Sequence, residues 1–370
     1  MSMHILHLIP ALSGGGAERQ LSYLAPQLVR MGHDVHIAYS KEGPNKPELP
    51  GVVLHQLKSR SNYDPYLLWQ LVRIIRRIKP DIIHTWILQM DILGGMAARL
   101  NGIPWILHEQ SSAMAYLSPT WKNRLRVRVG SCASAIVSNS RGGDEYWKTQ
   151  LPYSRRYVIP IGLLVHEIGR TEAALPPGLA NPEAPIVLYV GRLASDVSAN
   201  KNLKAFLEAL AYVRQQQNVL GILCGKGPQR AELEVLRHKL GLDADVHFTG
   251  YLPADSSVWA LMKKASVFVS LSAYEGCPNA VMEAMACSCQ LVLSDIPAHR
   301  EFLDERSALL VDPHNPAEIA DAILALLSDS ESARQRAVIA KEKSEQWSVE
   351  AMAHQYEQVY RAALNEHKRR

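Results

Sequence analysis

A chain of 370 residues exceeds what one hydrophobic core usually organises, so two domains are expected, and 47% hydrophobic with 21% charged residues excludes a disordered chain. The net charge of +4 is unevenly shared: residues 1–180 carry 20 Lys and Arg against 12 Asp and Glu, leaving 20 against 24 for residues 181–370. A basic first half fits an anionic acceptor or membrane surface and not a general nucleic-acid binder, although scattered solvated charge fits the same count.

The cysteines Cys132, Cys224, Cys277, Cys287 and Cys289 show no paired CxxC spacing and read as reduced thiols of a cytosolic protein. Residues 1–10 lack the charged start and cleavage pattern of a signal peptide, and no uncharged apolar run reaches bilayer length. A cytoplasmic protein, neither secreted nor integral, is expected.

Residues 4–9 read as a strand, followed by a loop over 10–16 that contains Gly14, Gly15 and Gly16. Ala17, Leu21, Leu24 and Leu28 recur at helical spacing, Gly32 ends that helix, and 35–39 is the next strand. The glycines let the backbone approach a phosphate or sugar closely, but the pattern is not GxGxxG and no acid is placed for an NAD ribose. Strands at 52–57, 81–86, 105–108, 135–138 and 156–159 alternate with helices at 66–78, 92–100 and 125–132. This predicts a doubly wound parallel sheet with His108 at the carboxyl end of a strand, where ligands bind.

Over 160–185 the pattern lapses into Gly162, Gly169, Pro176, Pro177, Gly178 and Pro182, which predicts an interdomain linker. A second alternation follows, with strands at 186–190, 219–224, 246–248, 267–271, 290–294 and 308–311. Helices are expected from Leu203, at 231–240, after the turn at 274–279 and beyond Pro316. The expected fold class is α/β: two Rossmann-like doubly wound parallel-sheet domains, 1–165 and 184–346, facing a central cleft. A final helix carries Met352, Tyr356 and Tyr360 on one side.

The stretch from Tyr274 to Ala286 holds two carboxylates, Glu275 and Glu283, eight residues apart around the turn Gly276-Cys277-Pro278-Asn279. The turn follows a buried-strand pattern, and Asn279 is a good cap for the helix formers after it. Unpaired N–H groups at such a place suit an anion, with hydroxyl-bearing groups beside the carboxylates, which is the layout of a nucleotide sugar. Gly191-Arg192, Lys201-Asn202 and Gly225-Lys226-Gly227-Pro228 also lie just beyond strands. Arg192 and Lys201 suit a diphosphate clamp, and the plain alternative is a pair of surface cations.

In this order these residues resemble the GT-B glycosyltransferases of family 4, over nearly the whole chain. The most specific element is Glu275-Gly276-Cys277-Pro278-Asn279 with Glu283. Supporting it are Gly14-Gly15-Gly16-Ala17-Glu18-Arg19, Pro80-Asp81-Ile82-Ile83-His84, Ser138-Asn139-Ser140, Gly191-Arg192-Leu193, Lys201-Asn202, Gly225-Lys226-Gly227-Pro228 and Asp295-Ile296-Pro297 with Arg300-Glu301. The resemblance implies a retaining, metal-independent transferase of the bacterial cell-envelope type that needs no cofactor. Its donor would be a nucleotide diphosphate sugar such as a UDP-sugar, and its acceptor a glycan or polyprenyl-linked molecule bound by residues 1–165. By resemblance, Glu283 holds the ribose hydroxyls. Arg192, Lys201, Gly225 and the backbone over Gly276, Cys277, Pro278 and Asn279 hold the diphosphate side of the donor. Glu275 and His108 touch the transferred sugar, Gly15 and Gly16 lie against the donor, and the last helix, 348–365, joins the first domain.

Three departures from the family pattern stand out. Residues 193–200 make a longer segment than usual, Ile161-Gly162-Leu163-Leu164 replaces an expected Asn-Gly-x-Asp, and Cys277 fills a position more often Phe, Leu or Thr. Asp243-Ala244-Asp245 resembles a metal-binding Asp-x-Asp, but it precedes a strand and reads as a turn, and no metal site is expected. Leu67, Leu68, Leu71, Val72, Ile75 and Ile78 share a helix with Arg73, Arg76, Arg77 and Lys79, and residues 121–128 form a second cationic stretch. Both read as helices packed on a sheet with a solvated basic face; the other reading is docking on an anionic membrane. For function as a whole, the alternatives are a catalytically silent nucleotide-sugar-binding module and another GT-B enzyme such as a sugar phosphorylase or epimerase.

Overall fold

The computed structural model describes residues 2–43, 45–59, 61, 64–117, 120–176, 179, 184–194, 201–252 and 255–369. The long spacing over 195–200 and the linker residues Pro177, Gly178 and Pro182 lie outside the described residues. The chain runs β1 (His4–Leu12), α1 (Gly16–Arg30), β2 (Asp34–Glu42), β3 (Val53–Gln56), α2 (Pro65–Ile78), β4 (Ile82–Trp86), α3 (Ile87–Asn101), β5 (Trp105–Glu109), α4 (Trp121–Gly130), β6 (Ala135–Ser138), α5 (Arg141–Gln150) and β7 (Arg156–Val158). It continues through α6 (Val165–Arg170), β8 (Ile186–Val190), α7 (Leu203–Gln216), β9 (Leu220–Cys224), α8 (Arg230–Lys239), β10 (Val246–Gly250), α9 (Asp255–Lys264), β11 (Val267–Ser270), α10 (Asn279–Ala286) and β12 (Leu291–Ser294). It ends with α11 (Pro297–Arg300), β13 (Leu309–Val311), α12 (Pro316–Ser328), α13 (Ser330–Ser344) and α14 (Val349–His367). Two units result: Met1–Gly162 with Trp347–Arg370, and Leu163–Gln346.

The first unit holds a seven-stranded sheet, β3-β2-β1-β4-β5-β6-β7, with every pairing parallel. Its central strands β4 and β5 are buried along their whole length, as strands covered by helices on both faces must be. Helix α3 lies hard against this sheet because two glycines face it. A Cβ on Gly94 would fall 2.6 Å from Leu8 Cδ1, and one on Gly95 would fall 2.6 Å from the Trp105 ring. Helix α14 packs on α1 and buries Val349, Met352, Ala353, Tyr356, Val359, Tyr360 and Ala363. Gly162 enters this seam, donating its N–H to Gln20 Oε1 at 3.0 Å, and a Cβ there would meet Val349 and Met352 at 2.8 Å.

The second unit holds a six-stranded parallel sheet, β10-β9-β8-β11-β12-β13, over a core of Val187, Phe206, Leu210, Leu223, Val269 and Ile323 among others. In each sheet the strand order reverses once, between β1 and β4 and between β8 and β11. The loops leaving the carboxyl ends diverge at such a point and open a crevice there.

Several details differ from the sequence reading. Residues 160–185 are not all linker: Ile168 is an apolar anchor, 1% exposed, that turns 165–170 into a helix, and Lys263 Nζ donates to Gly169 O (3.1 Å) and Thr171 O (2.8 Å). The helix expected at 125–132 begins four residues earlier, where Thr120 Oγ1 accepts from Asn123 N. Asn279 is the first residue of α10 and not its cap; Pro278 takes the cap position without a side-chain bond. The sequence reading also passed over α5, whose Arg141-Gly142-Gly143 start looks like a turn. Ser140 caps it, with Oγ accepting from Gly143 N at 3.2 Å, and buried Trp147 anchors it.

Candidate functional site

In the second unit, the loops after β8 and β9 lie backbone against backbone. A Cβ on Gly225 (φ +147) would fall 1.9 Å from Gly191 O, and one on Gly227 would fall 2.1 Å from Leu193 O. Gly191 N donates to Cys224 O and Leu193 N to Lys226 O, both at 2.9 Å. Only glycine fits such an approach. Tyr189 Oη donates to Arg192 O at 3.0 Å and so fixes the backbone from which the exposed Arg192 projects. Burial, with Glu275 adding to it, keeps the Tyr189 phenol protonated.

Across the β8/β11 reversal, Lys201 and Glu275 form an ion pair, each side chain 18% exposed. Asn202, in the left-handed region at φ 48, precedes α7 and donates from Nδ2 to Leu271 O at 2.9 Å, stapling the start of α7 to the end of β11. This staple delivers Lys201 to Glu275. Ser272 Oγ donates to Glu275 Oε1 at 2.6 Å, and Ser294 Oγ donates to Ser272 O at 2.6 Å. Behind them, His299 Nδ1 donates to Ser294 O at 2.8 Å, and burial holds that imidazole below its ordinary range.

Gly276, Cys277 and Pro278 are buried, and Asn279 is half-buried. Glu283, 3% exposed, lies one turn into α10. Burial, with the Glu283 charge adding to it, pushes the Cys287 thiol up to about 12, so that cysteine is packing and not a nucleophile. One sheet thus gathers Arg192, Lys201, Gly225, Glu275, the 276–279 turn and Glu283 at its carboxyl ends.

In the first unit, Gly14 takes φ +88, and Gly15 and Gly16 are exposed at the start of α1. The loop is held by Glu18, whose Oε2 accepts from Ser13 N (2.8 Å), Ser13 Oγ (2.9 Å) and Gly15 N (2.7 Å). Sequence reasoning quoted Glu18 only as part of a motif; its place three residues after Gly15 is the spacing of a capping carboxylate.

His108 sits near the end of β5, 4% exposed, with Nε2 3.2 Å from Tyr356 Oη. His84 Nδ1 lies 2.7 Å from Tyr360 Oη, and Trp86 Nε1 donates to His7 Nδ1 at 3.1 Å. Burial holds His7 and His108 down to about 3, with Arg126 and His7 adding to the effect at His108, and burial holds His84 well below its ordinary value. All three rings are neutral in the folded protein, whereas in the unfolded chain each titrates near 6.5. Below that pH the unfolded chain takes up protons that the native rings refuse. Their contribution to stability is therefore complete above pH 6.5 and is lost as pH falls toward 3. Thermal melts are expected to show a midpoint that drops steadily from pH 6.5 to pH 4, with net proton uptake on unfolding at pH 5. A flat midpoint over that range contradicts the neutral cluster.

The 121–128 stretch is not simply a solvated basic face. Arg126 is 3% exposed and is clamped between Asp91 (2.7 Å) and Glu109 (2.6 Å). Its Nη2 also donates to His108 O at 3.1 Å. Thr85 Oγ1 donates to Asp91 Oδ1 (2.6 Å), and Trp147 Nε1 donates to Glu109 Oε2 (3.0 Å). Burial raises Asp91 to about 6 against the opposing pull of Arg126. An arginine at that position is a buried tie that fixes the end of β5, because α4 turns it inward between α3 and β5.

Residues 14–163 match the family model described as Glycosyltransferase Family 4, and residues 172–343 match the model Glycosyl transferases group 1. The chain belongs to the family 4 GT-B glycosyltransferases. This glycosyltransferase is 27% identical over 290 residues to the alpha-D-kanosaminyltransferase of Streptomyces kanamyceticus, covering 72% of this chain and 73% of the relative. It is 23% identical over 340 residues to a Campylobacter jejuni enzyme named N-acetylgalactosamine-N,N'-diacetylbacillosaminyl-diphospho-undecaprenol 4-alpha-N-acetylgalactosaminyltransferase, covering 87% and 89%. Among solved structures, Anabaena Alr3699/HepE in complex with UDP-glucose superposes with a TM-score of 0.82 at 20% identity, over 97% of this chain and 100% of that one. The sucrose-phosphate synthase of Thermosynechococcus elongatus superposes with a TM-score of 0.80 at 22% identity, over 98% and 100%. At such identities the superpositions speak for the GT-B fold.

In this glycosyltransferase Asp243 and Asp245 are engaged by His238, Arg237 and Arg214 at 2.7 to 3.2 Å. Among the described residues no group of three or more His, Cys, Asp or Glu is placed to hold a metal ion, and no helix is long and apolar enough to cross a membrane. Sequence reasoning missed the Ser272–Ser294–His299 support behind Glu275 and the Arg126 clamp. It also missed the tyrosine contacts to His84 and His108, whose partners lie 276 and 248 residues apart.

Proposed function

We propose that this glycosyltransferase is a retaining enzyme that moves a sugar from a nucleoside diphosphate sugar to a glycan or polyprenyl-linked acceptor in cell-surface polysaccharide synthesis. The observation that carries this reading is the β8/β11 crevice, where the Lys201–Glu275 pair, Arg192 and buried Glu283 share one sheet end. Glu283 accepts two hydrogen bonds from the ribose diol. The amides from Gly276 to Asn279, with Arg192 and Lys201, meet the diphosphate and the charge that grows on it as it leaves. Lys201 is paired with Glu275 in the free protein, so donor binding shares that cation between carboxylate and phosphate. Glu275 is then the residue beside the transferred sugar; the first unit holds the acceptor, and its Gly15, Gly16 and His108 stand at the carboxyl ends of that unit's own sheet, where ligands bind.

The acceptor oxygen bonds to the anomeric carbon on the face from which the diphosphate departs. The anomeric carbon–oxygen bond breaks, and the acceptor proton passes to the departing phosphate oxygen. The protein positions and stabilises charge, without a metal. The Anabaena relative's complex with UDP-glucose and the undecaprenol named for the Campylobacter relative support the donor and acceptor classes. The test is the anomeric configuration of the product by NMR, with and without EDTA: retention unaffected by EDTA is expected, and inversion or a metal requirement overturns the mechanism.

The face of α2 supports an anionic membrane surface as the place where a lipid-linked acceptor is met. Tyr66 and Trp69, each 50% exposed, stack with ring centroids 5.2 Å apart, and Arg73 lies over Trp69 at 5.4 Å. Binding to vesicles containing anionic lipid, falling as salt rises, is expected; no binding at low salt removes this part.

A further inference from the structure

We propose that Tyr356, on the last helix, is a positioning residue that fixes His108 as the neutral tautomer with its proton on Nδ1, leaving that N–H to donate to a hydroxyl of a sugar ligand at the carboxyl end of its own sheet. The ligand half of this rests on the reading of His108 given above; the tautomer half does not.

Both groups are buried, His108 at 4% and Tyr356 at 1% exposure, and burial keeps the imidazole unprotonated and the phenol protonated. At 3.2 Å the two share one hydrogen bond, which can run either way on geometry alone. A phenol is a stronger donor than an imidazole N–H, and an imidazole nitrogen is a stronger acceptor than a phenol oxygen. The bond therefore runs from Tyr356 O–H to Nε2, and the ring proton is left on Nδ1. That Nδ1 is buried and has no hydrogen-bond partner in the protein. Around the ring stand Trp86, edge-on at 4.2 Å between centroids, and His84 at 5.3 Å.

The same logic orders the rest of the cluster. Trp86 Nε1 can only donate, so His7 carries its proton on Nε2, and Tyr360 at His84 Nδ1 places that proton on Nε2. In the sheet register His7 faces His84, and Trp86 faces His108 two residues nearer the strand ends. Of the three rings, His108 alone stands at the carboxyl-end layer, where ligands bind in such sheets. A buried donor without a partner is unfavourable, and a ligand hydroxyl would relieve it. The helix that supplies Tyr356 belongs to the first unit but follows, in sequence, residues 163–346 of the second. The chain's final segment thereby sets the chemistry of a residue in its first half.

Long-range proton–nitrogen NMR of histidine-labelled protein reads the tautomer in the wild type, with His108 assigned by the signal missing from His108→Asn. The expected spectrum has His108 protonated at Nδ1 and bare at Nε2. Tyr356→Phe, close in shape, should move His108 toward the Nε2–H form and lower kcat/KM for the donor on the order of tenfold. A wild-type ring protonated at Nε2, or ring shifts unchanged in Tyr356→Phe, overturns the positioning role. An Nδ1–H ring whose signals do not move on saturation with a donor that the enzyme turns over overturns the sugar contact, separately from the tyrosine's role.

Discussion

Glu283→Ala should lower turnover on the order of 100-fold, with Arg192→Ala close to it, the loss seen when one positioned stabiliser is removed. The reasoning differs at the two sites. Glu283 is 3% exposed on a helix whose neighbours from Val281 to Ala286 are all buried, so its carboxylate is rigid and desolvated. Under the proposed reading, a ribose diol donates to this buried carboxylate. Arg192 is exposed and projects from a backbone fixed by Tyr189. Its loss should weaken diphosphate binding and leave the melting temperature nearly unchanged. Steady-state kinetics with circular dichroism checks both, and near-wild-type turnover in both variants with the fold intact removes the site assignment.

Arg126→Met should destabilise the first unit by about 3–5 kcal/mol, because Asp91 and Glu109 are then left as two buried carboxylates without their cation. The methionine fills much of the volume, so the loss measures charge more than packing. Adding Asp91→Asn to Arg126→Met should recover part of the loss by removing one stranded charge, although Asp91→Asn alone is destabilising. Denaturant titrations of the four proteins in the cycle test this, and additive effects contradict a shared network. Since Arg126 also holds His108 O, Arg126→Met should reduce donor turnover in protein that remains folded.

The alternation of strand and helix was legible because β4, β5, β11 and β12 are short, wholly buried strands that each open on an apolar run, and buried parallel strands carry that signature in any context. The Glu275 turn was legible for a similar reason: a Gly-Pro turn between such a strand and a helix has few uses. Arg126 was not, since its neighbours Arg124 and Arg128 are exposed and nothing local distinguishes the inward-facing one. Nor was the partnership of His108 with Tyr356, because a contact 248 residues apart in sequence depends on where α14 returns. Helix α6 was hidden in a stretch rich in glycine and proline, where Ile168 was the single clue.

The most direct measurement is release of free nucleoside diphosphate from a panel of UDP-, GDP- and ADP-sugars by the wild-type protein and by Glu283→Ala. One donor class should be hydrolysed by the wild type, should raise its melting temperature, and should do neither with Glu283→Ala. A folded wild-type protein that neither hydrolyses nor is stabilised by any of them, or a Glu283→Ala variant that behaves like it, contradicts a nucleotide-sugar site at the β8/β11 crevice.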